Sequence, residues 1–256
     1  MSSWTIMGIT FASIFSCALV GFLLHLMVHE HHRSSATQEV VKLTAGIVVT
    51  MTALVLGLLI ASTKQNFDAK AADVRTFVVN ITLMERSMRH YVPSLLPERQ
   101  VLATFVEAML DRLWAADPSK FTGTDALAAL DKVRDRVRNL DPQTGAQRFQ
   151  QARVMALSDT LMLTSNELLE STDSSIPTPM LVVVVIWLSV IFLGFGLFAP
   201  FNPLSGGALA AGAAAVSMSM FLIVEMNTPF NGFITIPQRQ MERALAEINQ
   251  ALRTPP

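Results

Sequence analysis

The sequence predicts an all-α integral membrane protein with four transmembrane helices in two hairpins and a helical cytoplasmic insert between them. Three observations predict it. Lys, Arg, Asp and Glu are absent from residues 1–29, from 43–63 and from 174–224. An apolar stretch of about 18 or more residues without charge reads as a membrane span, because about 20 residues at 1.5 Å each cross the hydrocarbon core. The chain is 51% hydrophobic and only 15% charged, where soluble domains carry about 25% charged residues, and its mean hydropathy is +0.43. Finally, apolar residues outside the gaps recur at helical spacing, and no segment alternates as a strand would.

The first span covers residues 4–28. It lacks the basic leading region of a secretory signal and exceeds the length of a signal's apolar core, so it is expected to be a retained anchor. The second span covers 43–63. The third gap is long enough for two crossings, and the cluster Ala199-Pro200-Phe201-Asn202-Pro203 divides it into spans at 180–198 and 204–224. Small residues recur every four positions in three of the spans: Ser13, Cys17 and Gly21; Ala53, Gly57 and Ala61; and, in the fourth, Gly207 with Ala211 beside Gly206, Ala210 and Ala214. Such stripes let helix backbones approach closely in lipid, although Ala and Gly are also simply common there.

Residues 64–179 form the insert. Val74, Phe77, Ile81, Met84, Met88 and Tyr91 make a seam spaced 3-4-3-4-3. Neither Pro nor Gly interrupts the chain between Gly57 and Pro93, so span and seam are expected to be one helix over about 43–92. The seam either joins the second helices of several copies or packs against insert helices of its own chain. Pro97 suits a helix start and opens a second insert helix carrying Leu102, Phe105, Val106, Met109, Leu110 and Leu113. A third follows Thr124, and its basic residues at 134–138 are interleaved with acids, as on a solvated face. A fourth runs from about 144 to 171. After the last span, Met241, Leu245, Ile248 and Leu252 mark an amphipathic tail helix. The domain reading is therefore 1–63 first hairpin, 64–179 insert, 180–225 second hairpin and 226–256 tail.

Lys64, Lys70 and Arg75 follow the second span, and Arg239, Arg243 and Arg253 follow the fourth; the opposite side offers only Arg33 and Lys42. Basic residues beside span ends favour the cytoplasm, which places both termini and the insert there.

Chemistry is sparse. A single cysteine, Cys17, excludes an intramolecular disulfide and a multi-cysteine zinc site. His25, His29 and His32 share one face of a helix if the first span continues, making them weak metal candidates; interfacial polar residues are the plainer reading. Glu225 ends the fourth span, where an ionisable residue is a functional candidate by default, although at a span end a side chain reaching the headgroups is the plainer reading. No phosphate-binding glycine loop, nucleophile elbow or zinc-protease helix is present, so no enzyme and no cofactor is expected. A net charge of −1 offers no field for nucleic acid.

The layout, together with Phe67, Asp73, Arg75, Glu85, Tyr91 and Pro97 after the second span and Pro229-Phe230-Asn231-Gly232 after the last, resembles the bestrophin-like family of uncharacterised bacterial and plant membrane proteins. Bestrophins proper are oligomeric anion channels with four spans per subunit and long helices running into the cytosol. The resemblance implies a homo-oligomer in the lipid bilayer and marks Arg75, Glu85, Pro229, Phe230 and Gly232 as site candidates. Two function classes follow: an oligomeric anion channel, or a non-transporting scaffold or sensor whose cytoplasmic bundle binds a partner.

Overall fold

The computed structural model describes residues 2–27, 35–91, 95–114, 123–170, 178–200 and 202–253, and every described element is helical. Eight helices follow in order: α1 (Ser3–Met27), α2 (Ser35–Tyr91), α3 (Leu96–Trp114), α4 (Gly123–Arg138), α5 (Gly145–Glu170), α6 (Thr178–Phe198), α7 (Pro203–Met226) and α8 (Arg239–Arg253). Helices α1, α2, α6 and α7 are long and apolar enough to cross a membrane. The chain divides into two compact units, residues 1–66 with 175–227 and residues 67–174 with 228–256. Helix α2 contributes to both and is a single helix of 57 residues, roughly 85 Å long at 1.5 Å per residue. Its continuity follows from the absence of Pro and Gly between Gly57 and Pro93.

In the first unit α1 lies against α6 and α7. Ile14, Ala18, Leu59, Val184, Leu188, Ile191, Phe192, Ala213, Met220 and Ile223 form its core. The crossing of α1 and α6 is set by two glycines. A Cβ built on Gly21 would stand 2.3 Å from the Leu193 carbonyl oxygen, and one on Gly196 would stand 2.1 Å from that of Ala18. Only hydrogen fits at either point. The stripe Ser13–Cys17–Gly21 is thus the α6-facing side of α1, and Ser13 and Ser189 bring their hydroxyls to 3.4 Å along it. The other stripes find no such partner among the described residues: Cβ atoms on Gly57, Gly206 or Gly207 would meet nothing of these within 4 Å.

Polar groups inside the spans are satisfied locally. Thr52 donates to the Val48 carbonyl, Thr63 to Leu59 and Ser217 to Ala213, each one turn back, so no hydroxyl of these three faces hydrocarbon unpaired. Asn202 caps α7 by accepting from the Ser205 amide at 2.7 Å, and Pro203 occupies the first turn, as the cluster at 199–203 implies.

The second unit is a soluble-type bundle. The seam residues Val74, Phe77, Ile81, Met84 and Met88 are fully buried. They pack inside their own chain: the Phe77 and Phe105 rings lie 5.8 Å apart, and the Ser158 hydroxyl reaches the Met84 sulfur at 3.9 Å. Of the two fates open to the seam, the structure takes the intramolecular one, and the apolar faces of α3 and α5 fill the place a second copy would have taken. Thr144 and Gln147 close a reciprocal cap at the start of α5: Thr144 Oγ1 accepts from the Gln147 amide, and Gln147 Oε1 accepts from the amides of Gln143 and Thr144. Gln151 Nε2 donates to the Val137 and Leu140 carbonyls and so ties α5 to the end of α4.

Candidate functional site

The site candidates named from sequence fall into three places. Pro229, Phe230 and Gly232 come together in the turn that follows α7. Gly232 has φ 151°, a backbone conformation strained for any side chain bearing a Cβ. The turn closes when the Ile236 amide donates to the Pro229 carbonyl at 2.7 Å. It docks on Trp114 of α3 by two contacts: Phe230 meets the indole edge-on with centroids 5.1 Å apart, and Trp114 Nε1 donates to the Ile236 carbonyl at 2.9 Å. Phe230 and Ile236 are buried as a result.

Glu85 sits elsewhere in the same unit. Arg99 of α3 donates to Glu85 Oε1 through Nε at 3.1 Å and Nη2 at 2.6 Å, and the same Nη2 donates to the Ala251 carbonyl of α8 at 3.0 Å. Arg89 lies 3.7 Å from Glu85 Oε2. Glu85 and Arg99 are each 5% exposed. Charges so far from water persist only when paired and hydrogen-bonded, and here the pair also holds the last turn of α8. Met241, Ala244, Ile248 and Ala251 are the buried stripe of that helix, which packs on α3. The carboxy-terminal segment is therefore fastened to α3 at both ends, by Trp114 at the turn and by Arg99 at the helix end. A parallel pair, Arg136 with buried Glu98 at 3.1 Å, joins α4 to α3.

The remaining candidates lie apart from these two. Arg75 is exposed on α2. Glu225 is 3% exposed at the end of α7, which Asn227 caps. His25 Nδ1 donates to the Leu197 carbonyl at 2.8 Å, so Nδ1 carries the proton and ties α1 to α6. His29 and His32 lie outside the described residues, and among the described residues no three His, Cys, Asp or Glu side chains are grouped to hold a metal.

Sequence reasoning missed Arg99, Trp114 and Gly196. For Arg99 a signal existed: it stands three residues before Leu102 and seven before Val106, in phase with the apolar stripe of α3. A charge at a core-facing position implies a buried partner. Glu98 and Glu85 carry the same mark.

The most exposed apolar surface belongs to the membrane part of α2. Only 11% of its apolar stretch is buried, against 28% in each of α1, α6 and α7. Leu43, Ile47, Met51, Leu54 and Leu58 are 54–74% exposed and recur at helical spacing, with Ala53, Gly57 and Ala61 exposed beside them.

Known proteins agree with this architecture. Residues 12–241 match the family model of the Bestrophin-like domain. Solved structures of a bacterial bestrophin homologue from Klebsiella pneumoniae superpose over almost the whole chain. One point mutant gives a TM-score of 0.73 at 12% identity, covering 97% of this chain and 99% of that one. A second mutant gives 0.70 at 13% identity with 94% and 98% covered. The form phased on zinc gives 0.68 at 12% identity with 95% and 96% covered. At these identities the likeness is one of fold. No curated protein matches the sequence.

Proposed function

This chain belongs to the bestrophin-like family, and from that premise we propose that it is a homo-oligomeric anion channel of the bacterial inner membrane. Both termini and the helical insert are cytoplasmic in this reading. The observation that carries it is the uncovered face of α2. A membrane helix whose own chain covers a ninth of its apolar stretch has room for other copies on several sides. The exposed small residues Ala53, Gly57 and Ala61 permit the close approach that helix association in lipid requires. Four helices of one chain are too few to enclose water, so conduction requires assembly. No charged side chain lies at 43–63, and the pore wall is therefore apolar with small polar residues such as Thr50. Constrictions of that kind gate by dewetting.

In the same reading Glu85, Pro229, Phe230 and Gly232 are positioning residues that hold the carboxy-terminal segment on α3, and Glu225 and Arg75 are accessory. The test is mass in detergent followed by chloride flux through reconstituted liposomes. An oligomer that passes chloride is expected, and Gly57→Leu is expected to abolish both assembly and flux while the helix content of the chain stays unchanged. A monomeric parent ends the channel reading. An oligomer that passes no chloride leaves the scaffold or sensor reading, in which the cytoplasmic bundle binds a partner.

A further inference from the structure

Between the start of α2, the end of α6 and the start of α7 lies a cavity of about 580 Å³. Gly46, Val49, Gly194, Phe195, Phe198 and Leu209 form its apolar wall. Lys42 is the charged residue on that wall, and Ser205 adds a hydroxyl. All of these belong to the membrane-spanning unit.

The depth of the cavity is set by sequence. Lys42 is the last charge before the gap at 43–63, so it stands at headgroup level. From Lys42 to Val49 the wall descends roughly 10 Å along α2, into the hydrocarbon. The cavity is thus wet at one end and dry at the other. Positive charge collects at its polar end twice over. One source is the ammonium of Lys42, which no described carboxylate pairs. The other is the start of α7, where Ser205 lies in the first turn of a 24-residue helix and the helix dipole is positive.

The occupant must therefore be apolar along most of its length and anionic at one end. A second copy of this chain, whose Glu30 and Glu39 flank spans that carry no carboxylate within them, is the competing occupant, and the oligomeric mass of the filled variants below tells the two apart. We infer that the cavity binds an anionic phospholipid of the surrounding bilayer, one acyl chain against Gly46, Val49 and Phe195 and the phosphate against Lys42 and the Ser205 hydroxyl at the start of α7. This goes beyond the channel reading and does not depend on it, since occupancy is read as mass and not as flux. The size suits such a ligand, because small-molecule sites occupy about 300–1,000 Å³.

Filling variants are available without disturbing the fold. A Cβ on Gly194 or on Gly46 meets nothing within 4 Å. The experiment uses the full chain in mild detergent with added phosphatidylglycerol or phosphatidylcholine, and native mass spectrometry counts retained lipid. The parent is expected to retain phosphatidylglycerol in preference to phosphatidylcholine. Lys42→Gln is expected to lower phosphatidylglycerol retention about fivefold, the effect of one basic residue on an anionic headgroup, with Lys42→Arg restoring it. Gly194→Leu, and independently Gly46→Leu, is expected to remove both lipids while helix content and oligomeric mass stay those of the parent. A parent that retains no lipid, or retains both equally with Lys42→Gln silent, overturns the inference. So does a loss of oligomeric mass in both filled variants, which would make the cavity a seam between copies.

Discussion

At the scale of single residues the second unit depends on a few polar contacts buried inside an apolar bundle. Glu85 is held by Arg99 with Arg89 at its second oxygen, and Arg99 is held in turn by Glu85 and the Ala251 carbonyl. Removing one member strands the other charge away from water. Arg99→Met is therefore expected to cost about 3–5 kcal/mol and to loosen α8, whereas the double variant Glu85→Leu with Arg99→Met is expected to cost much less than the sum of the single changes. Chemical unfolding of the four proteins in one detergent, followed by circular dichroism, measures the difference. Costs that simply add would show that the two side chains do not act as a pair. Asp73 supplies a pH dependence of known sign. It lies beyond the apolar stretch of α2, after Lys64, Asp68 and Lys70. Burial first, and then the negative charge of Glu167, hold its carboxyl above the usual range. The folded state therefore binds this proton more tightly than the unfolded state, and stability falls as pH rises from the ordinary carboxylate range through the raised value. Asp73→Asn is expected to be more stable than the parent at neutral pH and equal to it below the ordinary carboxylate range. Melting temperatures across that interval test this, and a gain that persists at low pH would assign the effect to packing instead.

At the scale of elements the comparison of sequence with structure is instructive because similar signals met different fates. Three small-residue stripes were visible, and only that of α1 is used within the chain. The difference lies in the partner. Gly21 faces Gly196, so both backbones come to contact, while Gly57 meets nothing within 4 Å among the described residues. A stripe read along one helix cannot reveal whether another helix offers a matching gap, and Gly196 has no periodic companion to announce it. The seam of α2 shows the same limit. Its spacing fixed which face would be buried but not what would bury it. Charge gaps and proline positions were legible because hydrocarbon and the missing proline amide act on each residue separately. The clasp of Arg99 on Ala251 joins positions far apart in sequence and leaves only the trace of a charge at a core phase. From this follows a graded expectation. Gly196→Ala must push α1 from α6 or bend both, and is expected to destabilise the first unit by about 1–3 kcal/mol, as overpacking does. Gly57→Ala is expected to leave the monomer unaffected and act, if anywhere, on assembly. Thermal melts of both in detergent check the contrast, and equal melting temperatures would mean that the α1–α6 crossing is looser than its geometry indicates.

At the scale of the whole molecule, orientation is the property on which the scaffold reading turns, because it decides which solution the long helical insert meets. The argument is one of asymmetry. Lys64, Lys70 and Arg75 follow the span of α2 and Arg239 and Arg243 follow α7, against Arg33 and Lys42 on the other side. Basic residues within about 15–20 positions of a span resist translocation, and those in short loops count most. The loop at 199–203 contains none. The side bearing the insert is thereby expected to remain cytoplasmic, and an even number of spans brings the two termini to it. In a Cys17→Ala background, cysteine placed at exposed Arg148 on α5 is expected to stay unlabelled by a membrane-impermeant maleimide in intact cells and to react after permeabilisation. Cysteine placed at Ser35 is expected to react in intact cells. Cys17 must be removed first, because it is the only native thiol and sits inside a span. The opposite pattern at both positions would invert the protein in the membrane. It would put the Glu85–Arg99 clasp and its fastened tail outside the cytoplasm, where a cytoplasmic partner could not reach them, so the scaffold reading would fall while conduction stayed open. Labelling at both positions in intact cells would break the even count of spans. It would contradict the four crossings themselves, on which the apolar gaps, the uncovered face of α2 and the lipid cavity beside Lys42 all depend.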